Sequence, residues 1–320
     1  MKKHWSVLIY CCGLAAASIG ISINSSGVFY TPVSKSLHIL RGTFSMHMTL
    51  FSLATAIISL FVPKIYQKFS FKKILTFSVI IAVVSTAAMA LGKNAITFYI
   101  LGAIRGMSTS LFSIVPITMI INGWFEKKHG LATSIAFGFS GLGGTLCSPV
   151  LSSVISSFNW QMGYLLKAVI LLLLCLPAVL YPFSMNAKDE GLLPYGYQEK
   201  HETTQNQATS SFHFMSISFI AFFIFGMLIS CITSVTQHLP GYGESLGFPL
   251  TSCAILLSAG MMGNIVSKLI IGSLSDHFGE MKATLMMISV NILGIDLLII
   301  GRSMTLLIVG AFLFGSCYSL

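Results

Sequence analysis

Apolar runs of membrane-crossing length follow one another along the 320 residues, separated by short polar punctuation. An α-helix needs on the order of 20 apolar residues to cross about 30 Å of hydrocarbon. That rule predicts ten spans at roughly 6–29, 44–63, 74–92, 96–121, 130–156, 162–184, 213–236, 249–272, 283–301 and 304–320. The predicted class is therefore all-α and polytopic. One long polar stretch, from Asn186 to Ser211, carries Asp189, Glu190, Glu199, Lys200 and Glu202 and reads as a solvated linker. It predicts three parts: an N-terminal bundle over 1–185, a linker over 186–212, and a C-terminal bundle over 213–320.

Composition agrees with a bilayer. The chain is 55% hydrophobic and 8% charged, too little polar material to cover a soluble globule of this size. The net charge of +9 could indicate nucleic acid, but its placement excludes that reading. With the N-terminus inside, alternate loops collect Lys2, Lys3, Lys64, Lys68, Lys72, Lys73, Lys127, Lys128, Lys188, Lys200 and Lys282 on one side. Lys35, Arg41, Lys93 and Arg302 fall on the other. This asymmetry predicts a multi-pass protein of the plasma membrane with a cytoplasmic N-terminus and a cytoplasmic linker. Met1-Lys2-Lys3 followed by an apolar run and Ala15-Ala16-Ala17 also resembles a secretory leader, although the run outlasts the usual 7–15 or so residues. The seven cysteines lie in the spans without ligand spacing, so no metal or other cofactor is expected.

Two internal echoes give the chain a repeat. Gly272-Ser273-Leu274-Ser275-Asp276-His277-Phe278-Gly279 forms a polar elbow between two spans, and a degraded basic copy runs from Pro63 to Lys73 about 209 residues earlier. At nearly the same offset, the stretch from Leu101 to Leu111 is echoed by Val309 to Leu320. Superposing the copies places Leu320 inside the tenth span, so the chain is expected to stop early, with the second half two helices short of the first.

The elbow resembles the GxLxDRxGR loop of the major facilitator superfamily, which joins the second and third helices of each half. The resemblance implies a two-bundle fold with about ten of twelve transmembrane helices present. Gly27-Val28-Phe29-Tyr30-Thr31-Pro32, the run from Asn122 to Ala132, Leu193-Pro194-Tyr195-Gly196, and the run from Asn264 to Gly272 are similar to the monocarboxylate and oxalate/formate exchanger group.

Charges inside hydrocarbon are costly unless paired or solvated. Four fall in the spans: Arg105, Lys167, Lys268 and Asp296. Arg105 sits near mid-membrane, where an arginine either binds substrate or bonds to neighbouring carbonyls. The resemblance implies substrate binding or proton transfer there. Lys268 reads either as a cation on the substrate carboxylate, as the resemblance implies, or as a snorkelling lysine. The resemblance implies an acid one turn earlier, where this chain has Asn264; the departure is compatible with anion binding and puts proton coupling through that pair in doubt. Lys167 is expected to reach back to the membrane surface, and Asp296 to be structural. The resemblance implies gating roles for Asp276, Gly272, Gly279, Lys72 and Lys73. Phe29, Tyr30, Trp124, Phe125, Trp160 and Tyr164 read as interfacial anchors, with Tyr30 able to reach a cavity.

These residues predict a secondary carrier of a small organic anion, a mono- or dicarboxylate, working by alternating access with protons or a counter-anion as the coupled partner. The alternative is a non-transporting remnant of such a carrier. An enzyme is disfavoured, because the chain holds no HExxH, no paired acids within a span and no phosphate-cradling glycine loop.

Overall fold

The computed structural model describes residues 2–197 and 216–319, with the backbone alone described at Lys2, Ser218, Gly272, Ser273, Asp276, Glu280 and Ser319. Helix starts follow local polar signals. Asn94 accepts from the Thr97 amide at 2.9 Å and opens α6 (Ala95–Ser110); Asn159 accepts from the Met162 amide at 2.8 Å and opens α9 (Trp160–Leu180). Ser216 and Ser303 cap α10 (Ile217–Val235) and α14 (Met304–Phe314) in the same way.

The first span is not a regular helix. α1 (Lys2–Ala15) passes into a π-helical stretch, Ala16–Asn24, then a 3-10 turn, Ser26–Phe29, and ends as α2 (Tyr30–Ser36). Serines hold the irregular part: Ser22 Oγ donates to the Ala17 carbonyl at 3.0 Å and Ser25 Oγ to that of Ile21 at 2.7 Å. The second span is α3 (Arg41–Ser59) bent by 53° into α4 (Val62–Lys68), with Pro63 in the first turn of α4. α5 (Phe71–Ala88), the broken pair α6 and α7 (Ile114–Trp124), and α8 (His129–Ser157) complete the N-terminal set with α9. The second set comprises α10, α11 (Leu239–Ser245), α12 (Leu250–Phe278), α13 (Glu280–Ile300) and α14. By length and hydropathy, eight described helices can cross a membrane, nine with the bent pair, and Met304–Tyr318 is a shorter apolar helix. All ten runs expected from the sequence are therefore helical over most of their described residues.

Four expectations are corrected. The elbow from Gly272 onward continues α12 as far as Phe278, and the chain turns only at Gly279, whose φ of +82° suits glycine. The first residues of the supposed solvated linker are packed. Ala187–Glu190 form a 3-10 turn, Tyr195 pairs with Phe125, and Glu190 bonds to Lys3 and to the Ser184 amide. The aromatics assigned to the interface are interior: Phe29, Tyr30, Trp124, Phe125, Trp160 and Tyr164 are all buried in two clusters. Lys167, expected at the surface, is 1% exposed.

Small residues let the helices approach. A Cβ on Gly102 would stand 2.6 Å from the His47 carbonyl oxygen of α3, and one on Gly144 would stand 2.8 Å from the Asn24 Cβ and 2.9 Å from the Met261 Cγ. Gly144 thus marks the line where the first span, α8 and α12 converge.

Candidate functional site

The two helix sets face each other along α8 and α12. Their polar contacts among the described residues lie toward the end that bears the 37–40 and 246–249 connections. Ser152 Oγ donates to the Leu250 carbonyl at 3.3 Å, Gly27 N donates to Gln237 Oε1 at 3.1 Å, and Lys35 pairs with Glu244 at 2.6 Å. One step further along, Thr145 and Ser258 exchange hydroxyl-to-carbonyl bonds. Beyond Gly141, where a Cβ would meet Ile265 at 2.6 Å, the helices diverge into a cavity of about 380 Å³.

The cavity draws on both sets. Asn24 comes from the π-helical segment, Ser134 and Ser140 from α8, Ile114 from α7, and Asn264 and Lys268 from α12; Tyr318 closes one side. Asn24 Nδ2 donates to the Ser140 carbonyl at 3.2 Å, which fixes the amide at the wall. Asn264 is 2% exposed, and its side-chain oxygen has no hydrogen-bond partner among the described residues. A buried acceptor left unmade is costly, so this position favours a ligand or water that can donate to it. Lys268, one turn later on the same face, is half-buried and has no partner among the described residues. Asn264 and Lys268, both singled out in the sequence, line this cavity together; Asn24 and Ser140 were not singled out. A π-helical register brings Asn24 to the wall, and hydropathy does not report it.

Arg105 lies behind this wall. It is 1% exposed, donates from Nη2 to the Ser22 carbonyl at 3.2 Å and from Nη1 to Met89 Sδ at 3.4 Å, and lies 5.4 Å from the Phe51 ring centroid. Ser22 is two residues before Asn24, so the segment that anchors Arg105 also lines the cavity. Tyr30 is elsewhere: it packs against Phe44, His47 and His238 with ring centroids 6.1, 6.2 and 5.2 Å away, where the two sets meet.

The elbow residues lie apart from the cavity. Lys72 donates to the carbonyls of Ala178, at 2.7 Å, and Tyr181, and stands 4.1 Å from the Phe183 ring centroid, so it caps the end of α9. Lys73 is exposed. Gly272 lies within α12, and the side chain of Asp276 falls outside the described residues. Asp296 is exposed on α13. Among the described residues, no group of histidine, cysteine and carboxylate side chains could hold a metal ion.

Long apolar helices in two sets around a shared cavity define a polytopic membrane protein. The chain belongs to the Major Facilitator Superfamily, whose model matches residues 11–320. It is similar to the uncharacterized MFS-type transporter YcxA of Bacillus subtilis (strain 168), 26% identical over 183 residues that make up 56% of this chain and 44% of the relative. It is also similar to the probable transporter MCH2 of Saccharomyces cerevisiae, 21% identical over 61% of this chain and 40% of the relative. The chain thus spans less than half the length of these curated relatives. Among solved structures, the nucleoside transporter NupG superposes with a TM-score of 0.71 at 16% identity, covering 100% of this chain and 80% of that one. The D-xylose-proton symporter superposes at 0.65 with 15% identity, covering 98% and 80%.

Proposed function

We propose that the chain is a secondary carrier of a small organic anion, a mono- or dicarboxylate, exchanged or co-transported across the plasma membrane by alternating access. The N-terminal bundle, 1–185, and the C-terminal bundle, 213–320, are the rocking bodies, and 186–212 is the linker between them. The observation that carries the reading is charge. The cavity wall presents Lys268 beside the unpartnered Asn264 oxygen, and Arg105 is anchored to the same segment as Asn24. Residues 1–185 contain a single acid, Glu126, which is exposed. A carboxylate is the ligand that relieves buried cations in such a wall, through charge-assisted bonds.

With the basic loops on the cytoplasmic side, the cavity opens inward and the Thr145–Ser258 contact lies on its outer side. Gly272, Asp276 and Gly279, with Lys72 and Lys73 of the other copy, are then at the inner ends of the bundles, where a gate would operate. Protons or a counter-anion supply the coupling.

Counter-flow uptake in proteoliposomes loaded with a panel of carboxylates tests the proposal. The expected result is uptake that Lys268→Gln and Arg105→Gln each lower at least tenfold. Undiminished uptake in either variant removes that residue from the site. No uptake by correctly folded wild-type protein supports the non-transporting alternative.

A further inference from the structure

Lys167 and Arg105 approach the same turn of the first span from different helices. Lys167, on α9, donates from Nζ to Ser26 Oγ at 2.8 Å and stands 5.2 Å from the Phe29 ring centroid. Ser26 Oγ donates in turn to the Ser22 carbonyl at 2.8 Å, and that carbonyl also accepts from Arg105 at 3.2 Å. A continuous hydrogen-bonded chain therefore joins the two cations through the irregular part of the first span. Both side chains are 1% exposed.

Nothing nearby balances them. Among the described residues neither forms an ion pair, and the single acid of residues 1–185 is at the surface. The titratable groups that face the pair are Tyr164 on α9, Tyr30 on α2, His47 on α3 and Cys147 on α8. None of these carries a negative charge near neutral pH at its ordinary value. The partners that hold the cations are a hydroxyl, a carbonyl and a thioether, all neutral. Hydrogen bonds to a carboxylate are roughly twice as strong as neutral ones, so each cation gains by exchanging its present partner for an anion. A dianion offers a charged partner to each of the two buried donors, whereas a monoanion leaves one of them on neutral partners.

We propose that Lys167 is a specificity-determining residue of the carrier site: beside Arg105 it favours a doubly charged anion over a singly charged one. The assignment rests on the carrier reading above and refines it. Asn24, two residues from Ser22, connects this turn to the cavity. The turn between Ser22 and Ser26 leaves regular helix geometry at the place where carbonyl partners must be exchanged.

The test compares binding of C2–C5 dicarboxylates with their half-amides, which keep the length and lose one charge, by titration calorimetry on the full chain in nanodiscs. The wild type is expected to bind at least one dicarboxylate tenfold or more tighter than its half-amide. Lys167→Met should bring that ratio close to one by weakening the dianion alone, and Lys167→Arg should retain it. Ser26→Ala, which cuts the chain and keeps both charges, should lower the ratio partway and provides the readout if Lys167→Met does not fold. Equal wild-type affinity for the two ligand types, or an equal loss of both in Lys167→Met, overturns the role of Lys167 and leaves the carrier reading standing. If folded wild type binds neither type, the carboxylate reading falls and the assignment with it.

Discussion

Thr145 and Ser258 bond to each other twice across the two helix sets: Ser258 Oγ donates to the Thr145 carbonyl at 2.9 Å, and Thr145 Oγ1 donates to the Ser258 carbonyl at 3.4 Å. Hydroxyls placed against carbonyls satisfy groups that a membrane interior cannot hydrate. The pair fastens α8 to α12 at the edge of the cavity.

Removing one hydroxyl should loosen that end. Ser258→Ala is expected to lower stability by about 0.5–1.5 kcal/mol, the net worth of a typical hydrogen bond. It should also raise maleimide labelling of Cys253, which is buried one turn away. Site-resolved mass spectrometry measures the labelling; an unchanged rate would show that the pair does not hold the end closed.

Gly144 should tolerate no larger side chain. Gly144→Val drives two methyl groups toward Asn24 and Met261, both within 3 Å of an added Cβ. Overpacking of this kind costs about 1–3 kcal/mol. Thermal unfolding in detergent checks the stability, and Gly138→Val, where a Cβ meets nothing within 4 Å, is the control expected to change little.

The cavity residues should separate by chemistry. Lys268→Arg is expected to keep anion binding and Lys268→Gln to lose it at least tenfold, because a charge-assisted bond is removed. Asn264→Leu, which deletes the unpartnered oxygen, should leave folding stability unchanged or improved while weakening binding. Weakened folding in Asn264→Leu would show that the amide is structural.

Acid should unfasten the packed linker. Burial raises the Glu190 pKa, but the ammonium of Lys3 and the Ser184 amide outweigh it, and the carboxyl is held below its ordinary 4.5. A group with a depressed folded pKa stabilises above its unfolded value, and its contribution is lost as pH falls through the folded one. Stability should therefore drop on acidification below about pH 4.5, and Glu190→Gln should flatten that part of the curve. At neutral pH the variant should lose about 0.5 kcal/mol, as expected for a partly exposed pair. Melting curves from pH 3 to 7 measure both effects; an unaltered acid limb in Glu190→Gln would rule out the Lys3–Glu190 contact as its source.

The sequence by itself determined the element inventory. Membrane helices satisfy their own backbone, so length and hydropathy along the chain suffice to find them, and each of the ten expected runs is helical over most of its described residues. It also placed Asn264 and Lys268 together, because one helical turn is a local relation. It did not place Lys167, whose distance from a helix end suggested the surface. Only the pairing of α9 with the first span decided that its ammonium meets Ser26 inside. The same holds for Asn24, brought to the cavity by a π-helical register that serine hydroxyls sustain, and for aromatics that fill the interior rather than the interface. Which face of a helix meets protein, and which meets lipid, depends on where close approaches such as Gly144 against Asn24 are possible. Those are long-range steric facts, absent from any local count of apolar residues.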